Sequence, residues 1–247
     1  MKESKSLMPR PVENGHVLRD QVYADISNAL MMGHYVPGQK LVIRQLAESY
    51  GTSLTPVREC LGRLVAEGVL EGEAKRSVRV PRMTSARVRE LRDIRLAVEG
   101  LAAARAAERI TLDEVARLRI IASEIIAARE REDIATDVAK LGEFQFGVYR
   151  ASAMPNLVRI IESLWLQTGP YLRLLFPNYI QTVTASRGDW RGRLCAALET
   201  RDVEVARREI EADVGEALEY LITLVDAADV IGSNIGRVVG LGTKKAS

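Results

Sequence analysis

The amino-acid sequence predicts a mainly α-helical protein in two parts, an N-terminal winged helix-turn-helix followed by an all-α antiparallel helical bundle. Two helical patterns meet at a tight, glycine-containing turn between Arg44 and Gly68. A pair of short β-prone segments, Val69-Leu70-Glu71 and Val78-Arg79-Val80, follows directly. From Ser85 onward apolar residues recur at helical spacing in segments separated by proline or glycine, with no further strand pattern.

The first helix is expected from about Val17 to Met32, with Val22, Ile26, Ala29 and Leu30 as its buried stripe and Gly33 as its end. Tyr35-Val36-Pro37-Gly38 has the make-up of a turn, because Pro37 presets one backbone angle and Gly38 accepts the next. Leu41-Val42-Ile43 is a strand candidate, and Arg44 to Gly51 reads as a short helix closed by glycine. In the next helix Ser53 is placed to cap and Pro56 fits the first turn, so it should start near Thr55. Val57, Leu61, Leu64 and Val65 recur on one side of it, Thr55, Arg58 and Arg63 point elsewhere, and Gly68 stops it. Helix, tight turn, helix is the geometry of a major-groove reader. The two β-prone segments, joined by residues 72–77, make a hairpin wing with a basic tip. Arg44, Arg58, Arg63, Lys75, Arg76 and Arg79 fall in or beside this unit, where they could neutralise phosphates around one groove. For any one side chain of the wing tip, a solvated loop charge is an equally good reading.

Pro81 marks the boundary. The expected organisation is a flexible tail over 1–16, a DNA-binding domain over 17–80, a linker over 81–83, a helical domain over 84–228 and a second flexible tail over 229–247. The bundle begins with a helix from Ser85 to about Glu108 carrying Val88, Leu91, Ile94, Leu96, Val98 and Leu101. Thr111-Leu112-Asp113-Glu114 then caps a second helix that runs to about Arg131. Further helical patterns cover Ile134 to Ser152, Asn156 to Gln167, Tyr171 to Phe176, Val183 to Glu199 and Val203 to Asp226, with breaks at Pro155, Gly169-Pro170 and Pro177.

Composition narrows the function classes. A chain of 247 residues with 47% hydrophobic content can build two cores, and a net charge of +2 is too mild to name a nucleic-acid partner by itself. No apolar run approaches the roughly 20 residues that span a bilayer, and MKESKSLMPRPVENG lacks the apolar core of a secretion signal, so a soluble, cytoplasmic protein is expected. Cys60 and Cys195 sit inside helical patterns in different domains and read as buried small apolar residues. The only histidines, His16 and His34, precede the bundle, so a three-histidine metal site cannot be built inside it. Without a glycine-rich phosphate loop, a nucleophile elbow or a histidine base in the larger domain, neither an enzyme nor a bound cofactor is expected.

The run Gly33-His34-Tyr35-Val36-Pro37-Gly38-Gln39-Lys40-Leu41, then Leu46-Ala47 and Thr55-Pro56-Val57-Arg58-Glu59, resembles the winged helix-turn-helix of GntR-type bacterial transcription regulators. The likeness is close over residues 18–80 and looser over 84–228, where the chain resembles the effector-binding domain of the FadR-type (FCD) branch. It implies that Arg44, Ser53, Thr55 and Arg58 contact DNA, while Leu54 stands where the family usually has arginine. In that branch a helix carries an aspartate and, four residues on, a histidine after a phenylalanine; here Leu141 and Gln145 hold those positions, after Phe144. Two further family histidines match Arg191, with Trp190 as the neighbouring alternative, and Asp213, so the metal ligands are replaced. Arg95 and Glu99 match a recurrent Arg-x-x-x-Glu, and Asn156 matches a recurrent asparagine.

What the resemblance implies is a homodimer that binds a double-stranded, pseudo-palindromic DNA operator, in the expected sense of a repressor, under control of a small-molecule effector. Arg95 and Arg191 are the available guanidiniums for that effector, with Gln145, Tyr149, Asn156 and Asp213 as neutral or counter-charged partners. A monocarboxylate or a largely apolar molecule suits this set, bound without a metal. The competing expectation is a constitutive regulator whose helical domain only dimerises, with Arg95 paired to Glu99 one turn away and Arg191 solvated.

Overall fold

The computed structural model describes residues 15–73, 77–175, 178–180 and 187–240, with side chains described throughout except at 15–18 and 228–240. Two compact units emerge, one formed by the chain up to Arg82 together with Glu162–Arg173, the other by the remainder.

In the first unit α1 (Gly15–Met31) opens two residues earlier than expected. Its end is closed by Gly33 at φ +63°, with His34 N–H donating to the Ala29 carbonyl at 2.9 Å. The turn over Val36–Gln39 carries Gly38 at φ +80° and closes through Gln39 N–H to the Val36 carbonyl at 2.9 Å. The strand that follows is β1 (Lys40–Val42), and Ile43 starts α2 (Ile43–Ser49) instead of ending the strand, because its side chain turns into the core. The next helix, α3 (Leu54–Ala66), is preceded by Ser53 in extended backbone, yet the Ser53 hydroxyl makes no capping bond. Past Gly68 at φ +70°, the N–H groups of Val69 and Leu70 are still donating to the Leu64 carbonyl. Pairing therefore begins later than expected, with β2 (Glu71–Gly72) and β3 (Ser77–Arg79) in an antiparallel sheet of order β1-β3-β2. Val22, Ile26, Leu30, Val57, Leu61, Leu64, Val69 and Val80 are all buried to within 1% and form the centre of this core.

The second unit opens with α4 (Ser85–Arg109), α5 (Leu112–Glu130), α6 (Ile134–Ala151) and α7 (Pro155–Leu172), whose second half belongs to the first unit. Thr111 and Glu114 form a reciprocal capping box at the start of α5, Thr111 accepting from Glu114 N–H at 3.2 Å and Glu114 from Thr111 N–H at 2.8 Å. Of the apolar residues expected along α4, Val88 and Leu91 are buried, but the buried face then departs from the apolar pattern. Ile94 is 40% exposed, whereas Arg95 and Glu99 continue the row that runs from Val88 and Leu91 to Ala102, Ala103 and Ala106.

Gly169-Pro170 does not interrupt α7. A proline inside a helix removes one hydrogen bond and costs about 3 kcal/mol in isolation. Here burial of Leu166 and Tyr171 offsets that cost, and the Tyr171 hydroxyl donates to the Pro81 carbonyl at 2.9 Å. After α7 a 3₁₀ turn spans Arg173–Leu175, and Phe176, the expected end of a helix, lies outside the described residues. The helix expected over Val183–Glu199 is broken at Gly188, φ +54°, where Asp189 caps a new helix α8 (Trp190–Thr200) by accepting from Gly192 N–H at 2.8 Å; residues 181–186 lie outside the described set. The last helix, α9 (Val203–Gly240), continues through the stretch expected to begin the tail. Its glycines recur there every fourth residue beside Ile231, Ile235 and Val239, a pattern a helix carries at a cost of about 1 kcal/mol per glycine. Helix α4 packs closely on α9, since a Cβ at Gly215 would meet the Leu96 side chain at 3.5 Å. No helix among the described residues is long and apolar enough to cross a membrane.

Candidate DNA-reading face and buried polar network

At about 100° per residue, Thr55 and Arg58 lie within about 60° of each other on α3. Both are exposed, as are Ser53 and Leu54 at the start of the helix, while Val57, Cys60, Leu61 and Leu64 hold the opposite side in the core. Arg58 makes no hydrogen bond or ion pair with any described residue, so its guanidinium is available to an outside acceptor. Arg44 on α2 is 82% exposed and is tethered only by an i,i+4 bond from Nε to Glu48 at 2.9 Å, which is weak at the surface.

Arg63 is placed differently. It lies about 140° around the helix from Arg58, where Nε donates to Glu67 at 2.7 Å and the guanidinium sits 3.9 Å from the centre of the Tyr23 ring. The Tyr23 hydroxyl completes the cluster by donating to Glu67 at 2.7 Å, and burial together with that carboxylate pushes the phenol up to about 12. Arg63 thus joins α3 to α1 and is not brought together with Arg58. Lys75 and Arg76 lie outside the described residues. At the base of the wing Arg79 Nε donates to Glu73 at 2.6 Å and Lys40 pairs with the same carboxylate at 3.1 Å, which holds Glu73 below the usual carboxylate range.

In the second unit, four of the six residues assigned to an effector, Arg95, Gln145, Tyr149 and Asp213, join one buried polar network. Arg95 Nε donates to Glu99 at 2.5 Å, and the two side chains are 6% and 0% exposed. Burial alone would lower the Arg95 guanidinium, but the Glu99 charge and hydrogen bond outweigh it and raise it. The Tyr149 hydroxyl bonds to Glu99 and lies 2.8 Å from Gln145 Oε1, and Gln145 Nε2 donates to Asp213 at 2.7 Å. Burial, then the Glu99 charge, pushes the Tyr149 phenol well above its ordinary range. Burial also raises the Asp213 carboxyl, with Arg191 and Arg187 pulling the other way. Asn156 is not part of this network: it is exposed at the start of α7 and accepts a bond from Arg159.

Arg191 is buried, at 7% exposure, and not solvated. Its guanidinium lies 4.4 Å from the centre of the Trp190 ring and 5.8 Å from that of Phe144, and desolvation lowers it to about 10 despite the nearby Asp213. Arg187, which sequence reasoning passed over, adjoins this group. It pairs with Glu209 at 2.9 Å, Asp213 at 3.6 Å and Glu216 at 3.7 Å, and its guanidinium is 4.9 Å from the Trp190 ring centre. Arg187 lies inside the helical pattern expected over Val183–Glu199, and nothing in its sequence neighbourhood signals burial. The residues at the family's metal-ligand positions do not fit a metal: Leu141 has no donor, Gln145 is committed to Tyr149 and Asp213, and Arg191 already places a cation beside Asp213. Among the described residues no three His, Cys, Asp or Glu side chains are grouped to hold one.

Residues 18–80 match the family model described as bacterial regulatory proteins of the gntR family, and residues 90–215 match the FCD domain. The HTH-type transcriptional regulator McbR of Escherichia coli (strain K12) is 32% identical over 201 residues, which cover 81% of this chain and 91% of the relative. A solved structure of E. coli McbR/YncC superposes with a TM-score of 0.75 at 30% identity, over 85% of this chain and 98% of that one. A putative transcriptional regulator GntR from Rhodococcus sp. RHA1 shares the fold at 18% identity, with a TM-score of 0.65 over 83% of this chain and 97% of that one. These matched families and relatives are regulators of transcription, not enzymes. With a winged helix-turn-helix ahead of an FCD-type helical domain, the chain belongs to the GntR family of DNA-binding transcriptional regulators, in its FCD branch.

Proposed function

We propose that the protein is a dimeric repressor that reads a pseudo-palindromic operator with α3 and releases it when a small molecule occupies the helical domain. The observation that carries the reading head is Arg58, exposed beside Thr55 and without an internal partner. A planar guanidinium presented this way suits bidentate bonding to a guanine edge, with Arg44 and the N-terminal residues of α3 available to flanking phosphates. A second copy is supported by the outer face of α5, where Leu112, Ile120 and Ile126 are 71%, 60% and 50% exposed within about 120° of the helix surface. Two-fold pairing would present two heads to two half-sites.

Effector control is supported by the buried polar network, which holds more charge than a merely dimerising bundle needs. Linkage then requires that an effector favouring one arrangement of the bundle change operator affinity by the same factor that the operator changes effector affinity. One observation favours the ligand-independent reading: Arg95 is already paired with Glu99, as that reading expects. Footprinting on the DNA flanking the protein's own gene, repeated across candidate effectors, tests the proposal. It expects a two-fold symmetric protected region whose affinity falls with an effector. An asymmetric footprint, or an affinity indifferent to every molecule that stabilises the protein, contradicts it.

A further inference from the structure

We propose that Leu54 is a specificity-determining residue of the reading head, its side chain packing on the 5-methyl group of one thymine in each half-site. This rests on the reading of α3 as the element that enters the major groove, and goes beyond it by assigning a base to an apolar side chain. Among the described residues of the first unit only Val36, in the turn before β1, and Leu54 are large hydrophobics left exposed, Leu54 at 42%. The other bulky apolar side chains of α3 are spoken for: Val57, Leu61 and Leu64 are buried to within 1%, and Val65 packs against the same core. Leu54 is not needed to hold the helix in place.

Its position aims it at DNA. Leu54 is the first residue of α3, and Cβ bonds of an α-helix tilt toward the N-terminus, so this side chain leads the end that meets base edges in helix-turn-helix docking. It lies one turn before Arg58, about 40° away around the axis and about 6 Å along it, so the two share one strip of surface. The first turn carries no acidic residue to repel phosphates, and the Ser53 hydroxyl beside it makes no capping bond. Chemistry then selects the base. A leucine side chain has neither donor nor acceptor, and the one methyl group that base edges present in the major groove is that of thymine. Against any other edge it would strip water from a hydrogen-bonding group and return nothing. At about 3.4 Å per base pair, the offset of about 6 Å puts that thymine about two base pairs from the guanine read by Arg58.

The test uses the full-length protein. An operator is selected from random duplex DNA, and each of its thymines is replaced in turn, in both half-sites, by deoxyuridine, which keeps the base pair and loses the methyl. At one thymine, about two base pairs from the guanine whose contact Arg58→Ala loses, uracil should weaken binding about fourfold per half-site and about fifteenfold for both, the transfer value of one buried methyl group. Leu54→Ala, at an exposed position, should melt as the wild type does and bind the thymine and uracil operators equally. Should the alanine variant misfold, Leu54→Gln must abolish the uracil sensitivity in its place. Sensitivity that persists in the Leu54 variant assigns the methyl to another side chain, such as Thr55, and overturns the proposal. So does an operator with no thymine within about three base pairs of that guanine, or wild-type affinity that changes less than about twofold at every thymine. A protein that selects no sequence removes the reading head itself. One that selects an operator, depends on Arg58 and is indifferent to uracil removes only the role of Leu54.

Discussion

Replacing Glu99 by glutamine should damage the bundle far more than one lost negative charge on a surface would. Glu99 is fully buried and is the carboxylate to which both Arg95 and Tyr149 bond. In Glu99→Gln the amide carbonyl can still accept from Tyr149, but the Arg95 guanidinium, 6% exposed, loses the charge of the carboxylate it pairs with at 2.5 Å. Breaking a buried pair in this one-sided way costs about 3–5 kcal/mol, a large share of the roughly 5–15 kcal/mol that holds a domain folded. The double substitution Arg95→Met/Glu99→Leu removes both charges and fills similar volume, so it should lie within about 1 kcal/mol of the wild type. Tyr149 would retain Gln145 as its partner at 2.8 Å. Urea unfolding followed by the fluorescence of Trp190, with Trp165 replaced by phenylalanine in every variant, gives the comparison. A Glu99→Gln protein within about 0.5 kcal/mol of the wild type would refute the reasoning, as would a double variant less stable than the single one.

Two further outcomes follow from packing. Cys195 is fully buried and its thiol is pushed up to about 11 by desolvation, and burial also raises the Cys60 thiol; both should resist a thiol reagent at pH 8 and react together only on unfolding, as counted by absorbance. Gly169→Ala should destabilise the first unit by about 1–3 kcal/mol in chemical denaturation, because the new Cβ would fall 2.5 Å from the Leu30 carbonyl oxygen and 2.7 Å from Met31 Cα, both backbone atoms of α1.

Where local chemistry decides the backbone, the sequence was legible. The glycines at 33, 38, 51 and 68 all take positive φ, and Thr111 and Glu114 make the reciprocal cap that their spacing implies. Tertiary packing decided the rest. Gly169-Pro170 reads as a break, yet the glycine allows α7 to approach the backbone of α1, and burial around it carries the helix through the proline. Apolar periodicity assigned Ile94 to the inside of α4, but Arg95 and Glu99 are buried because each neutralises the other, a pairing that hydrophobic pattern alone does not register. Matching residues to the family brought Gln145, Tyr149 and Asp213 into one network with Arg95 and Glu99, since these positions face inward on three different helices. Asn156 fell outside it, and Arg187 entered it with no sequence signal at all.

Binding of Arg58→Ala to operator and to unrelated DNA at one fixed salt concentration tests the reading head most directly. Arg58 is exposed and makes no internal bond, so the substitution should change stability by less than about 0.5 kcal/mol. A bidentate contact with guanine is worth about 1–3 kcal/mol per half-site, and two half-sites give about 2–6 kcal/mol, or roughly 30-fold to 10⁴-fold in the ratio of operator to unrelated binding. The account predicts that this ratio collapses while unrelated binding falls only slightly. An unchanged ratio in a fully folded variant would contradict it.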